Sequence, residues 1–329
     1  MMKVLLTGGA GFIGSCMLWR LNNAGITDIT VVDHLGSSEK WKNLTGKRFE
    51  NYFEKDKFLD YLESGKLNRN IDIVIHLGAC TSTTEQNATY MMENNYVYSR
   101  RIADWALKTK KRFLYASSAA TYGAGEEGYS DTDEVTPRLK PLNVYGYSKH
   151  AFDLWVLRNG LEEEFVGFKF FNVFGPNEGH KGDMRSMVNK GYKQIKTKGM
   201  IRLFNSYKPK YKAGEQKRDF VYVKDAVELV YHFVEHPEAR GLYNIGTGKA
   251  GTWNELANAI FSALGMKPKI EYFDMPETLK DKYQYFTEAD LKKLKEANKI
   301  HKFFDLHEFH SLEKAVKDYV NYLESGTYL

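Results

Sequence analysis

An α/β chain built on a Rossmann-type, doubly wound parallel sheet is the fold class that this sequence predicts, and three observations predict it. A short apolar run, Val4–Thr7, ends in the glycine cluster Gly8-Gly9-Ala10-Gly11-Phe12-Ile13-Gly14, and a helical pattern follows to about Asn23. An acid, Asp33, closes the next apolar run at the distance expected of a residue that faces a ribose. Strand-length runs and helical patterns then alternate as far as Asn172, as right-handed crossovers with helices on both faces of one sheet require.

The first strand feeds the glycine cluster directly. Gly9, Gly11 and Gly14 fit one dinucleotide spacing, and Gly8, Gly11 and Gly14 fit the other; either lets backbone N–H groups and a helix N-terminus approach a pyrophosphate. Thr30–Asp33 is the second strand, Asp72–His76 a buried strand, Tyr90–Lys108 one long helix, and Arg112–Ser117 a strand that runs into Ser117-Ser118-Ala119-Ala120-Thr121-Tyr122-Gly123. A helix from Tyr145 to about Arg158 leads to the strand Phe165–Asn172. Ligands bind such sheets beyond the carboxyl ends of the strands, where Gly8–Gly14, Leu77–Thr84, Ser118 and Asn172 all fall.

From Val173 the pattern loosens. A loop over Gly175–Gly182 precedes a helix over Met184–Lys198 and a basic, glycine-containing segment, Ser206–Gln216, whose Lys208, Lys210 and Lys212 read as a solvated face. Arg218–Val223 and Gly241–Gly246 read as strands on either side of a helix that begins near Asp225, returning to the first domain. A helix at Trp253–Leu264, a strand near Lys269–Phe273, and helices near Glu288–Ala297 and Ser311–Leu323 complete the chain. The expected division is a dinucleotide-binding domain, residues 1–171 and about 219–248, with a smaller, discontinuous α/β substrate domain, about 172–218 and 249–329.

Composition narrows the function. The 329 residues are 43% hydrophobic and 14% aromatic, enough for one large or two intimate domains. No apolar run approaches the roughly 20 residues that span a bilayer, and the N-terminus enters a strand at once, so no membrane and a cytoplasmic location are expected. The two cysteines, Cys16 and Cys80, make no disulfide framework, and no Cys/His spacing points to a metal. The net charge of +5 is spread along the chain with no basic face or reading motif for nucleic acid, and it suits an anionic small substrate.

The chemistry converges on Tyr145-Gly146-Tyr147-Ser148-Lys149. Four residues apart on a helix, Tyr145 and Lys149 share a face, and an ammonium there favours the phenolate of a tyrosine that otherwise titrates near pH ~10. Ser118, ending the preceding strand, is placed to share a substrate hydroxyl with it. Serine to orient an alcohol, tyrosine to exchange its proton and lysine to hold a nicotinamide ribose form a hydride-transfer set.

These residues and the glycine pattern resemble the extended short-chain dehydrogenases/reductases. Within them, longer runs resemble the ADP-L-glycero-D-manno-heptose 6-epimerases over nearly the whole chain: Gly78–Glu85, Tyr90–Tyr96, Tyr115–Gly123, Pro141–Lys149, Phe171–Lys181 with its Gly-His-Lys-Gly loop, Lys217–Val223 and Tyr283–Leu291. The resemblance implies epimerisation at C6 of the heptose of an ADP-sugar, a step toward the inner-core heptose of lipopolysaccharide. Bound NADP takes hydride from C6, leaving a ketone, and returns it to the other face, with Tyr145 and Lys181 handling protons.

The same resemblance implies cofactor contacts at the turn residues Gly8, Gly11, Phe12, Ile13 and Gly14, at Asp33, His34, Lys40 and Lys55, at Leu77, Gly78, Ala79, Cys80 and Thr81, and at Asn94, Lys149, Val173 and Lys181. Asp33 alone favours NAD; Lys40 and Lys55 offset its charge, and the family uses NADP, so NADP is expected. Substrate contacts are implied at Asn172, Phe204, Asn205, Tyr283 and Arg218, the last as a two-pronged diphosphate partner. Two departures stand beside them: Asp183 where the family usually has serine, and Lys190 where it usually has histidine, the second a possible counter-charge for the first. The resemblance also implies a homo-oligomer, a pentamer. Two other readings remain. Another nucleotide-sugar epimerase or dehydratase would share the scaffold, although Ala119 and Ala120 follow Ser118 where a dehydratase carries Asp-Glu. A non-catalytic NADP-binding protein would have no use for Ser118, Tyr145 and Lys149 together.

Overall fold

A computed structural model describes residues 2–67, 71–280, 283–301 and 309–329. Its strands are β1 (Val4–Thr7), β2 (Ile29–Asp33), β3 (Asn51–Glu54), β4 (Ile73–His76), β5 (Arg112–Ser118), β6 (Phe165–Phe170), β7 (Asn172–Phe174), β8 (Ile201–Phe204), β9 (Lys217–Tyr222), β10 (Gly241–Ile245), β11 (Ala250–Thr252) and β12 (Ile270–Phe273). Among the described residues, seven of these form one sheet in the order β10-β6-β5-β4-β1-β2-β3, and every neighbouring pair in it is parallel. The order reverses direction at β1 and β4, which opens the crevice where such folds bind ligands.

Period-two alternation explains the burial on both faces of the sheet. Val4, Leu6, Ile73, Ile75 and Leu114 point into one apolar cluster, whereas Leu5, Val74, Phe113 and Tyr115 point into the other. Helices α1 (Phe12–Asn23) and α7 (Val223–Glu235) cover the first face, and α2 (Lys55–Glu63), α4 (Tyr98–Lys108) and α5 (Val144–Arg158) cover the second. Between α2 and α4 lies α3 (Ala88–Met92), and after α5 come α6 (Met187–Lys198) and α8 (Trp253–Ala263).

Several elements differ from the sequence reading for identifiable reasons. Strand β3 is an edge strand with an exposed and half-buried face, and it carries no apolar run that would reveal it. The long helix expected at Tyr90–Lys108 is interrupted by a π-turn over Glu93–Val97, an inserted residue that a 3.6-residue period cannot register. Instead of continuing β6, Asn172 starts β7, which joins β9 and β11 in a separate three-stranded sheet. Of the two strands expected to return to the first domain, only β10 joins the large sheet. Helix α6 begins at Met187 and not Met184, because the Ser186 hydroxyl caps it by accepting the Asn189 N–H. The helix expected near Glu288 begins at Lys292, where the Asp290 carboxylate accepts its N–H at 3.0 Å.

Candidate active site

The glycine turn settles which spacing operates. Gly11 N–H donates to Gly8 O at 2.9 Å, and a Cβ on Gly14 would lie 2.0 Å from that same oxygen, so the triple in mutual contact is Gly8, Gly11 and Gly14. Gly8 takes φ +72°, and its own Cβ would meet Gly78 N at 2.6 Å. The turn and the Leu77–Thr81 segment therefore touch backbone to backbone.

Asp33 holds this turn in place. Its carboxylate accepts the Ala10 N–H at 2.7 Å and the Gly11 N–H at 3.1 Å, and it pairs with the Lys40 ammonium. The acid is thus neutralised within the protein. Lys55 donates to Asn94 Oδ1, and His34 Nδ1 lies 2.5 Å from Glu54 Oε1. A cavity of about 430 Å³ opens beneath the turn. Gly8, Gly11, Phe12, Ile13, Gly14, Asp33, His34, Lys40, Lys55, Leu77, Gly78, Ala79, Cys80, Thr81, Asn94 and Lys181 all line it. The glycine cradle, which any side chain would fill, fits a dinucleotide.

At the carboxyl end of β5, Ser118 hydrogen-bonds the Tyr145 phenol. Burial raises the tyrosine above its ordinary value and the Ser118 hydroxyl draws it partly back, so the phenol keeps its proton at neutral pH. The expected lowering by Lys149 is not what this geometry produces. Lys149 donates instead to Ala116 O at 2.9 Å, and burial lowers its pKa to about 8, against a smaller opposing pull from Asp153 one turn along α5. Asn143 fixes the start of α5 by accepting Gly146 N–H at 2.8 Å, which sets both side chains. Behind them Asp153 and Lys169 form a fully buried pair at 2.9 Å, completed by Ser117 and Thr121. Asn95, in the π-turn, clamps both backbone groups of Cys80 and donates to Ser148 of α5 at 3.0 Å. Sequence reading missed Asn95, because nothing local distinguishes it from Asn94.

A second cavity, of about 530 Å³, lies between β7, α6, β8 and α8. Asn172, Val173, Lys181, Lys190, Phe204 and Tyr283 line it, so Val173 faces this cavity and not the glycine-turn one. Arg185, Gln194, Arg202, Trp253 and Phe273 line it as well, and the sequence reading named none of them as site residues. No aspartate or glutamate is among its described lining residues, against four cations: Lys181, Arg185, Lys190 and Arg202. Arg218 lies buried just behind the wall, its guanidinium 5.0 Å from the Tyr283 ring centroid and 5.7 Å from that of Trp253. Asn205 turns away to Asp274 at 2.9 Å. Asp183 is exposed and lines neither cavity, and among the described residues no ion pair joins it to Lys190.

Lys181 and Met184 line both cavities, so the two meet at this loop. Burial lowers the Lys181 pKa most, and Lys190 lowers it further while Glu178 opposes both. Its ammonium lies 5.1 Å from the Phe12 ring centroid, beside the glycine turn. No described helix is long and apolar enough to cross a membrane.

Comparisons with known proteins agree with this architecture. The sequence model of the NAD dependent epimerase/dehydratase family matches residues 4–246. The ADP-L-glycero-D-manno-heptose-6-epimerase of Nitratidesulfovibrio vulgaris is 52% identical over 316 residues, which cover 96% of each chain. The crystal structure of the Helicobacter pylori ADP-L-glycero-D-manno-heptose-6-epimerase superposes with a TM-score of 0.80 at 27% identity, covering 98% of this chain and 96% of that one. A Thermus thermophilus UDP-glucose 4-epimerase, solved in complex with NAD, shares the fold with a TM-score of 0.76 at 21% identity, over 99% of this chain and all of that one. The chain therefore belongs to the NAD dependent epimerase/dehydratase family, and within it to the ADP-L-glycero-D-manno-heptose-6-epimerases.

Proposed function

We propose that this protein interconverts the C6 epimers of ADP-glycero-D-manno-heptose with NADP as its resident cofactor, in the synthesis of lipopolysaccharide inner-core heptose. The observation that carries this reading is the acid-free cavity with four cations, which meets the glycine-turn cavity at Lys181. A diphosphate needs such cations, and a hydride acceptor needs the adjoining space. The dinucleotide supplies reversible hydride exchange at C6, with no net redox.

The protein's part is proton handling and orientation. Ser118 holds the C6 oxygen. Lys181, whose hold on its proton is weakened by burial and the Lys190 charge, would accept the alcohol proton on one face as the alcohol is oxidised. Tyr145, protonated at neutral pH, would donate a proton to the ketone oxygen on the other as it is reduced. Lys149, buried and donating to Ala116 O, would supply a positive charge toward a bound nicotinamide ribose. The pairing of Asp33 with Lys40, with Lys55 on the same cavity, supports NADP, because it removes the negative charge that would repel a 2′-phosphate. Asn172, Phe204 and Tyr283 are the substrate contacts that the cavity lining favours, with Lys190 taking the place of a family histidine and Arg218 reinforcing the wall.

The purified protein, with no nucleotide added, is expected to convert ADP-D-glycero-D-manno-heptose into a mixture of C6 epimers without releasing reduced nicotinamide. Chromatography of the sugar and of the nucleotide extracted by denaturation reads both. No conversion after NADP⁺ and NAD⁺ are supplied would overturn the reading in favour of another nucleotide sugar. The Lys149 value gives the same assay a pH dependence. A lysine is charged below its pKa, so turnover is expected to fall as pH rises through about 8. A flat rate from pH 7 to about 10 would remove the Lys149 charge from the reaction.

A further inference from the structure

We propose that Asn43, which lines neither cavity, is a positioning residue that holds the Lys181 loop against the glycine turn. This rests on the reading of Lys181 as a proton-handling group. Asn43 is 2% exposed and sits in the 3₁₀ turn Glu39–Leu44. Its side-chain nitrogen donates to Ala10 O at 2.9 Å and to Asn177 O at 3.0 Å, and it lies 3.2 Å from His180 Nδ1. An amide nitrogen has two hydrogens, so the two carbonyls take one each and the imidazole shares. The ring can accept only when neutral; burial, then the charges of Lys40 and Lys181, keep it so by holding its pKa to about 4.

The three partners define the role. Ala10 belongs to the glycine turn, while Asn177 and His180 belong to the segment from which Lys181 emerges. That segment is fastened on its other side to α1, where Cys16 donates to Pro176 O at 3.6 Å and Asn177 donates to Ser15 Oγ at 3.0 Å. Asn177 stands at φ +73°, the left-handed region that asparagine adopts more readily than most non-glycine residues, and its side chain and carbonyl are both tied to neighbouring elements. Three residues before Asn43 in the same 3₁₀ turn, Lys40 pairs with Asp33. One short turn thus grips the strand β2 acid, the glycine turn and the Lys181 loop. Removing the Asn43 amide leaves the Lys181 ammonium free to drift from Phe12, and displacements of about 1 Å at a reacting group cost on the order of a hundredfold in rate.

The test is a double-mutant cycle on the holoprotein, with turnover of ADP-D-glycero-D-manno-heptose and nicotinamide content measured for wild type, Asn43→Ala, Lys181→Met and the double variant. Asn43→Ala is expected to lower kcat by about tenfold to a hundredfold with KM and nucleotide content little changed, and to cost less than about twofold when Lys181 is already Met. Equal losses in both backgrounds, or a loss that tracks lost nucleotide, would overturn the proposal and make Asn43 a purely structural residue. If Asn43→Ala does not fold, Asn43→Ser, which keeps one donor, replaces it; failure of both to fold also overturns the proposal. Wild-type turnover in Lys181→Met would instead overturn the role of Lys181, and the inference with it.

Discussion

Replacing Tyr145 with Phe is expected to lower epimerisation by about 10²–10⁴-fold and to leave the bound nicotinamide nucleotide in place. The phenol oxygen is the only atom removed, and the ring keeps its packing at the start of α5. Its partner Ser118 loses the acceptor for its hydroxyl hydrogen while still accepting the Ala120 N–H at 3.1 Å, so a cost of about 1 kcal/mol in stability is expected and no loss of fold. The loss is therefore chemical: the protonated phenol is the group poised beside Ser118 to donate a proton to the C6 oxygen as the ketone is reduced. Steady-state turnover together with nucleotide content after denaturation checks it. A variant with near wild-type rates would sink the assignment of Tyr145.

The second large effect is expected at Gly14. A methyl group there would lie 2.0 Å from Gly8 O, 2.7 Å from Gly8 C and 3.1 Å from Gly9 Cα, all backbone atoms that cannot swing aside. Because Gly8 is itself wedged against Gly78, relief at one position transmits to the Leu77–Thr81 segment. Gly14→Ala is expected to emerge from purification without nucleotide and to melt several degrees lower, an overpacking cost of about 1–3 kcal/mol. Thermal melting and nucleotide absorbance report on it. Full nucleotide content at the wild-type melting temperature would show that the turn relaxes, contrary to its close packing.

The sheet was legible in the sequence because β1, β2, β4, β5, β6 and β10 are buried apolar runs, and a parallel sheet covered on both faces demands such runs. Edge strand β3 and the short β7, β8 and β11 lack that signature, and in these the alternation is too brief to read. The residues of the glycine-turn cavity were legible through motif and resemblance together, and nearly all of those expected there line that one cavity. Those of the cationic cavity were less so. Arg185, Arg202 and Gln194 come from an irregular segment, a four-residue strand and a helix, and they converge only after α6 folds back on β8. The pull of Lys149 on Tyr145 was inferred from spacing alone; the structure instead directs the ammonium to the Ala116 carbonyl.

The strand order also constrains how the molecule forms. Strand β10 pairs with β6, matching Gly241 with Val166, so the sheet's last partner leaves the ribosome long after its neighbour. Apart from His180, Lys181 and Met184, every residue of the glycine-turn cavity precedes Arg100, and the strands β1, β2, β3 and β4 that frame it are all complete by His76. The cationic cavity draws on residues from Phe171 to Tyr283. Parallel pairings that span long loops form slowly, and the early part of a nascent chain can organise first. During synthesis, then, the chain acquires a place for a nucleotide well before it has walls for a sugar, and the Lys181 loop is the seam at which the later half is joined to the earlier.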